Sequence, residues 1–69
     1  MSTESEPTIR LDQFLKLVNA VASGGEAKHL IQEGEVTLNG AVETRRSKKI
    51  HEGDVVALAG HQYVVHLDR

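Results

Sequence analysis

Residues 30–46, LIQEGEVTLNGAVETRR, constrain the fold more than any other part of this chain. They read as a helix end, a glycine stop at Gly34, a strand, a tight Asn39-Gly40 turn and a return strand. Asn-Gly between alternating apolar residues specifies a two-residue hairpin, because both central residues must take positive φ. Gly34 suits the left-handed position that closes a helix. Directly after the hairpin, Arg45, Arg46, Lys48 and Lys49 place half of the chain's eight Lys and Arg within five residues. A hairpin that presents concentrated positive charge is suited to holding a phosphate backbone.

Upstream, Leu11, Phe14, Leu15 and Val18 fall at i, i+3, i+4 and i+7, one face of a helix, with Asp12 and Lys16 off the stripe. Ser23-Gly24-Gly25-Glu26 has capping-box spacing. The Ser23 hydroxyl is expected to accept from the Glu26 amide, and the Glu26 carboxylate to reach back to Ser23. A second helix then runs to Glu33 with Ala27, Leu30 and Ile31 inward. After Gly34 the period changes to two, with Val36 and Leu38 alternating with Glu35 and Thr37. Downstream, Glu52-Gly53-Asp54 is a turn, residues 55–59 a strand, Gly60-His61 a turn and residues 62–67 a final strand. The expected class is α+β, with two N-terminal helices packed on a small, mostly antiparallel sheet of four to five short strands. The expected core is Leu11, Phe14, Leu15, Leu30, Ile31, Val36, Leu38, Ile50, Val55 and Leu58.

A chain of 69 residues makes one domain. A domain of this size buries roughly 60% of its unfolded surface, so its core is thin. The absence of cysteine excludes disulfides and thiolate metal sites. No apolar run approaches the roughly 20 residues of a membrane span, and a soluble, cytoplasmic protein is expected. Net charge is −2, but its distribution matters more than its total. Residues 1–7, MSTESEP, are expected to be a disordered acidic tail, leaving residues 8–69 as the domain. Without Glu4 and Glu6, eight acids balance eight bases, and the bases are grouped.

The ordered set RLDxFL from Arg10, SxxxAxxLIxxGxVxxNG from Ser23 and Gly53-Asp54-Val55-Val56 resembles one known family. It is the RNA-binding domain named after small-subunit ribosomal protein S-four, also called the αL RNA-binding motif. The likeness covers about residues 9–58, most of the chain, as in the small stand-alone bacterial version, the YbcJ-like group. The resemblance implies that the helices and hairpin form one face for structured RNA, ribosomal or transfer RNA among them. It implies contact roles for Arg10, Lys28, Asn39 and the Arg45, Arg46, Lys48, Lys49 run. Lys16 and His29 are further candidates by their position on the two helices. The chain departs from the family at Gly24, where arginine is usual, at Glu35 and Thr37, where basic residues are frequent, and at Arg46, which replaces a common proline.

Each feature also has a plainer reading. The basic run can be a solvated loop, Lys16 and Lys28 solubilising lysines, and His29 a surface histidine. Arg10 opens a helix, where a cation is not favoured by the dipole, so it serves either in binding or in an ion pair with a nearby acid. His29, His51, His61 and His66 match no zinc spacing, and no metal or cofactor is expected. Gly24-Gly25 follows no strand and precedes no GK[ST], which argues against a nucleotide loop. Asp12, Glu26 and Asp54 are scattered, with no nucleophile or pocket implied, and Asp54 suits a turn beside Gly53. The expected protein is a monomeric, non-catalytic module whose partner is structured RNA, on the ribosome or in an RNA-processing complex. The alternative is a protein-interaction adaptor, which requires an exposed apolar patch around Tyr63 to Val65. A regulatory fragment of an RNA-modifying enzyme would need a partner chain to supply the chemistry.

Overall fold

The computed structural model describes residues 7–67. The expected acidic tail lies outside the described residues, apart from Pro7. The chain runs β1 (Thr8–Arg10), α1 (Leu11–Leu17), α2 (Gly24–Gln32), β2 (Val36–Leu38), β3 (Ala41–Val42), β4 (Lys49–His51), β5 (Val55–Leu58) and β6 (His61–Val64). It is an α+β domain with two antiparallel sheets, one of β1 and β4 and one in the order β3-β2-β5-β6. Strand β1 precedes the helices and was not expected. Three residues carry too little period-2 signal, and their pairing partners, Thr8↔His51, Ile9↔Ile50 and Arg10↔Lys49, lie some forty positions away.

Both helices stop by the same local device. After α2, Gly34 takes φ +81°, its N–H donates to the Ile31 carbonyl, and the Glu35 N–H donates to the Leu30 carbonyl. After α1, Asn19 takes φ 60°, with Asn19 and Ala20 donating to the Lys16 and Leu15 carbonyls. These bonds satisfy carbonyls that a helix end leaves without partners. At the start of α2 the Ser23 hydroxyl accepts from the Glu26 amide at 3.2 Å. The return bond differs from expectation: with Ser23 extended, the Glu26 carboxylate accepts from Ala22, not Ser23, at 2.7 Å.

The Asn39-Gly40 hairpin has φ 52° and 88°, closing Leu38 against Ala41. The second hairpin turns one residue earlier than expected, at Ala59-Gly60 (φ 55° and 82°), so β5 ends at Leu58 and pairs with His61. An alanine in the left-handed region costs about 1–2 kcal/mol, which hides this turn from a reading based on favoured turn residues.

Leu11, Phe14, Leu15, Val21, Ala27, Ile31, Val36, Ile50, Val56, Leu58 and Val65 form the core. Three expectations need adjusting. Leu30 and Leu38 are half-buried and pack at the edge of this cluster. Val56, not Val55, is buried, because strand alternation puts Val56 and Leu58 on one face and turns Val55 to the other. Val65, beyond β6, is fully buried, its backbone clamped to Gly53 and Asp54 at 2.9 and 2.8 Å. The patch that an adaptor requires is therefore broken: Val64 is exposed, Tyr63 is half-buried and Val65 lies inside. Among the described residues, no helix is long and apolar enough to cross a membrane.

Candidate nucleic-acid interface

Helix α1 begins without a side-chain cap, since its N-cap residue is Arg10. Its first amides are capped instead by the basic loop: Leu11 N–H donates to the Lys48 carbonyl at 2.8 Å and Asp12 N–H to the Arg46 carbonyl at 3.1 Å. The Lys48 N–H donates to the Arg45 carbonyl at 3.2 Å, closing a turn within the loop. Residues 45–48 are thereby pinned across the helix start, and β4 carries the chain on against β1. Arg10 and Lys49 face each other in that ladder. Like charges directly opposed are mildly destabilising, which marks this as a site of concentrated positive potential.

Asp12 relieves part of it. Although off the apolar stripe, it is only 7% exposed. Its Oδ2 accepts from Arg10 Nη2 at 2.9 Å and lies 3.8 Å from Arg46 Nε. Its Oδ1 accepts from the Gln13 N–H at 2.8 Å. Of the two roles open to Arg10, the ion pair is thus formed, and its side chain remains 42% exposed. The inner Nε of Arg10 is buried with no hydrogen-bond partner among the described residues. Leaving such a donor unsatisfied costs about 1–3 kcal/mol. In sequence, Asp12 is one of several scattered acids. The Arg10-x-Asp12 spacing was the available signal, but the second partner, Arg46, is 34 positions distant and visible only in three dimensions.

Arg45 turns toward Glu43, whose Oε2 accepts from both the Arg45 N–H (3.1 Å) and Nε (3.2 Å). The backbone hydrogen bond from Arg45, with its guanidinium and the Lys48 charge, outweighs slight burial and holds the Glu43 carboxyl below the usual carboxylate range. A carboxylate with a lowered folded-state pKa stabilises the fold above its unfolded-state pKa and loses that effect as pH falls through the folded value. Glu43→Gln is accordingly expected to lower thermal stability at neutral pH, by under about 1 kcal/mol, since the Arg45 side chain of the pair is 72% exposed. The difference from the parent should close as pH falls through the lowered folded-state value of Glu43, in melts followed by circular dichroism.

Asn39 serves the hairpin tip. Its Oδ1 accepts from the Val55 N–H at 2.9 Å, its Nδ2 donates to Asp54 Oδ1 at 3.2 Å, and its N–H donates to the Val55 carbonyl at 2.7 Å. The other oxygen of Asp54 accepts from the His51 N–H at 2.8 Å, so Asp54 joins two turns. Lys16, near the end of α1, and Lys28 and His29, on α2, are exposed. The structure thus gathers Arg10, Arg45, Arg46, Lys48 and Lys49 at the start of α1, places Lys16, Lys28 and His29 on the two helices, and engages the Asn39 side chain within the fold. The aromatic residues offer little for base stacking: Phe14 is 1% exposed and Tyr63 is half-buried beside His61. Among the described residues, no three acids or histidines converge as a metal site.

Comparison with known proteins agrees with this architecture. A protein from Bacillus subtilis (strain 168) named "Probable ribosome maturation protein RlbA" is 46% identical over 52 residues, covering 75% of this chain and 73% of that protein. One from Escherichia coli (strain K12) named "Putative RNA-binding protein YbcJ" is 44% identical over 64 residues, covering 93% and 91%. Among solved structures, the 30S ribosomal protein S4e from Thermoplasma acidophilum superposes with a TM-score of 0.64 over 84% of this chain. The matched part is 31% of that larger protein, and at 21% identity the likeness is one of fold. The S4 domain model matches residues 2–66, which takes in both helices, the Asn39-Gly40 hairpin and the basic loop, and this chain belongs to the S4 domain family.

Proposed function

We propose that this domain binds structured RNA, ribosomal RNA foremost, through the basic surface at the start of α1, with Lys16, Lys28 and His29 extending it along the helices. The observation that carries this reading is the loop itself. Arg46 and Lys48 supply the backbone carbonyls that cap α1, while the Arg46 and Lys49 side chains remain exposed. Positive charge is thereby mounted on rigid backbone, the arrangement that meets a shaped array of phosphates with little ordering cost. Membership in the S4 domain family and the names of the two bacterial relatives support the same conclusion. With little aromatic surface available, recognition rests on phosphates, 2′-hydroxyls and the shape of the RNA. The domain acts as a single chain without catalysis of its own, at a step of ribosome assembly or RNA metabolism.

The test replaces Arg45, Arg46, Lys48 and Lys49 together with alanine. Affinity for folded RNA is expected to drop at least about tenfold, on the order of 1.4 kcal/mol, at one fixed salt concentration. The fold should survive with a modestly lower melting temperature, because the capping groups are backbone carbonyls that alanine retains while the Arg45–Glu43 and Arg46–Asp12 ion pairs are lost. For the parent, neutralising about five phosphates gives a slope of log K against log salt of about −3.5 to −4.5. Equal binding by variant and parent, or no binding of folded RNA by the parent at low salt, would overturn the proposal.

A further inference from the structure

An acid at the centre of a basic RNA-facing surface should weaken the attraction for a polyanion, unless it acts inward. Asp12 acts inward: it is 7% exposed, and its Oδ2 meets Arg10 and Arg46, which come from β1 and from the loop after β3. Its Oδ1 is fixed by the Gln13 N–H, so the carboxylate is set in one orientation. The two arginine side chains nonetheless stay 42% and 43% exposed. A guanidinium has five N–H donors. Asp12 engages Nη2 of Arg10, whose Nε is buried, and faces the Nε of Arg46, leaving Nη donors on each guanidinium.

We infer that Asp12 is a positioning residue for RNA binding: its buried carboxylate fixes Arg10 and Arg46 as a preorganised pair of guanidinium forks for a backbone phosphate. The inference rests on the RNA-binding reading above and names the groups that would meet the phosphate. Long arginine side chains otherwise lose rotamer freedom when they bind, and a pair already oriented loses less. Arginine is the residue for this task because its planar fork matches phosphate geometry, which a lysine ammonium does not.

Simple electrostatics and positioning predict opposite results. Asp12→Asn changes the net charge from −2 to −1, and by charge alone should tighten RNA binding. Positioning predicts about a fivefold loss of affinity for a folded RNA hairpin at fixed salt, with the salt slope shallower by roughly one unit as a phosphate contact is lost. Arg46→Lys keeps the charge and the backbone cap but removes the fork, and should weaken binding by about threefold. Both variants are compared with the parent by fluorescence titration at several salt concentrations, with melting temperatures measured alongside. If Asp12→Asn does not stay folded, Arg46→Lys decides the matter alone. A parent that binds with variants at least as tight overturns the positioning role and leaves the RNA reading standing. A lower melting temperature for Asp12→Asn with an unchanged salt slope also overturns it, since Asp12 would then serve stability only. A parent that fails to bind folded RNA at low salt overturns both.

Discussion

Phe14→Ala is expected to bring the domain close to its unfolding threshold. Phe14 is 1% exposed on the inner face of α1, within the cluster that includes Leu11, Leu15, Ile31, Ile50 and Val65. Truncating a buried phenylalanine costs about 3–5 kcal/mol, through lost apolar transfer and the cavity left behind. Single domains have only about 5–15 kcal/mol of stability, and one this small lies toward the low end. Equilibrium urea unfolding checks the value. Val55→Ala is the control: Val55 is half-buried on the other face of β5, so a cost well below that of Phe14→Ala is expected. Leu30→Ala should fall between them, at about 2 kcal/mol, because Leu30 is also only half-buried. A Phe14→Ala protein within about 1 kcal/mol of the parent would mean that α1 does not pack as described.

The second large effect lies at the hairpin. Gly40 has φ +88°, and a Cβ added there would meet nothing within 4 Å. The penalty for Gly40→Val is therefore backbone conformation alone, about 1–3 kcal/mol for a β-branched residue at positive φ. Gly24→Ala is the matched comparison. It also adds side chain into open space, but within α2, where alanine is the better helix former, so stability should hold or rise slightly. Asn39→Ala attacks the same turn through its hydrogen bonds, leaving the Val55 N–H without its side-chain acceptor and Asp54 Oδ1 without its donor. That loss is expected to cost about 1–3 kcal/mol. Thermal melts of the three variants at one pH give the ranking. A Gly40→Val protein as stable as the parent would refute the left-handed turn.

Asn39 and Asp12 bear on how far the sequence alone could lead. The Asn39-Gly40 turn was legible because its cause is the φ preference of two adjacent residues. That the same asparagine would join the hairpin to Asp54, fifteen positions on, was not. Asp12 lies two positions from Arg10, and in sequence nothing else distinguishes it from the other acids, Glu26 and Asp54 among them. Its burial, and with it the organisation of the basic surface, follows from a loop that returns to the start of α1 after more than thirty residues. The basic residues themselves were visible as a run, whereas their mounting on carbonyl caps was not.

The elements that the chain encodes locally are those whose hydrogen bonds close within about five residues: the Ser23 cap, the Gly34 stop, the Asn39-Gly40 turn and the apolar stripe of α1. Such features cost little entropy to form, and residue preference decides them. The pairing of β1 with β4, the inward face of β5, the burial of Val65 and the Arg10–Asp12–Arg46 cluster emerged only with the assembled fold. Each joins segments far apart in the chain, so each depends on which distant surfaces the thin core brings together, and a short strand's own residues cannot express that choice.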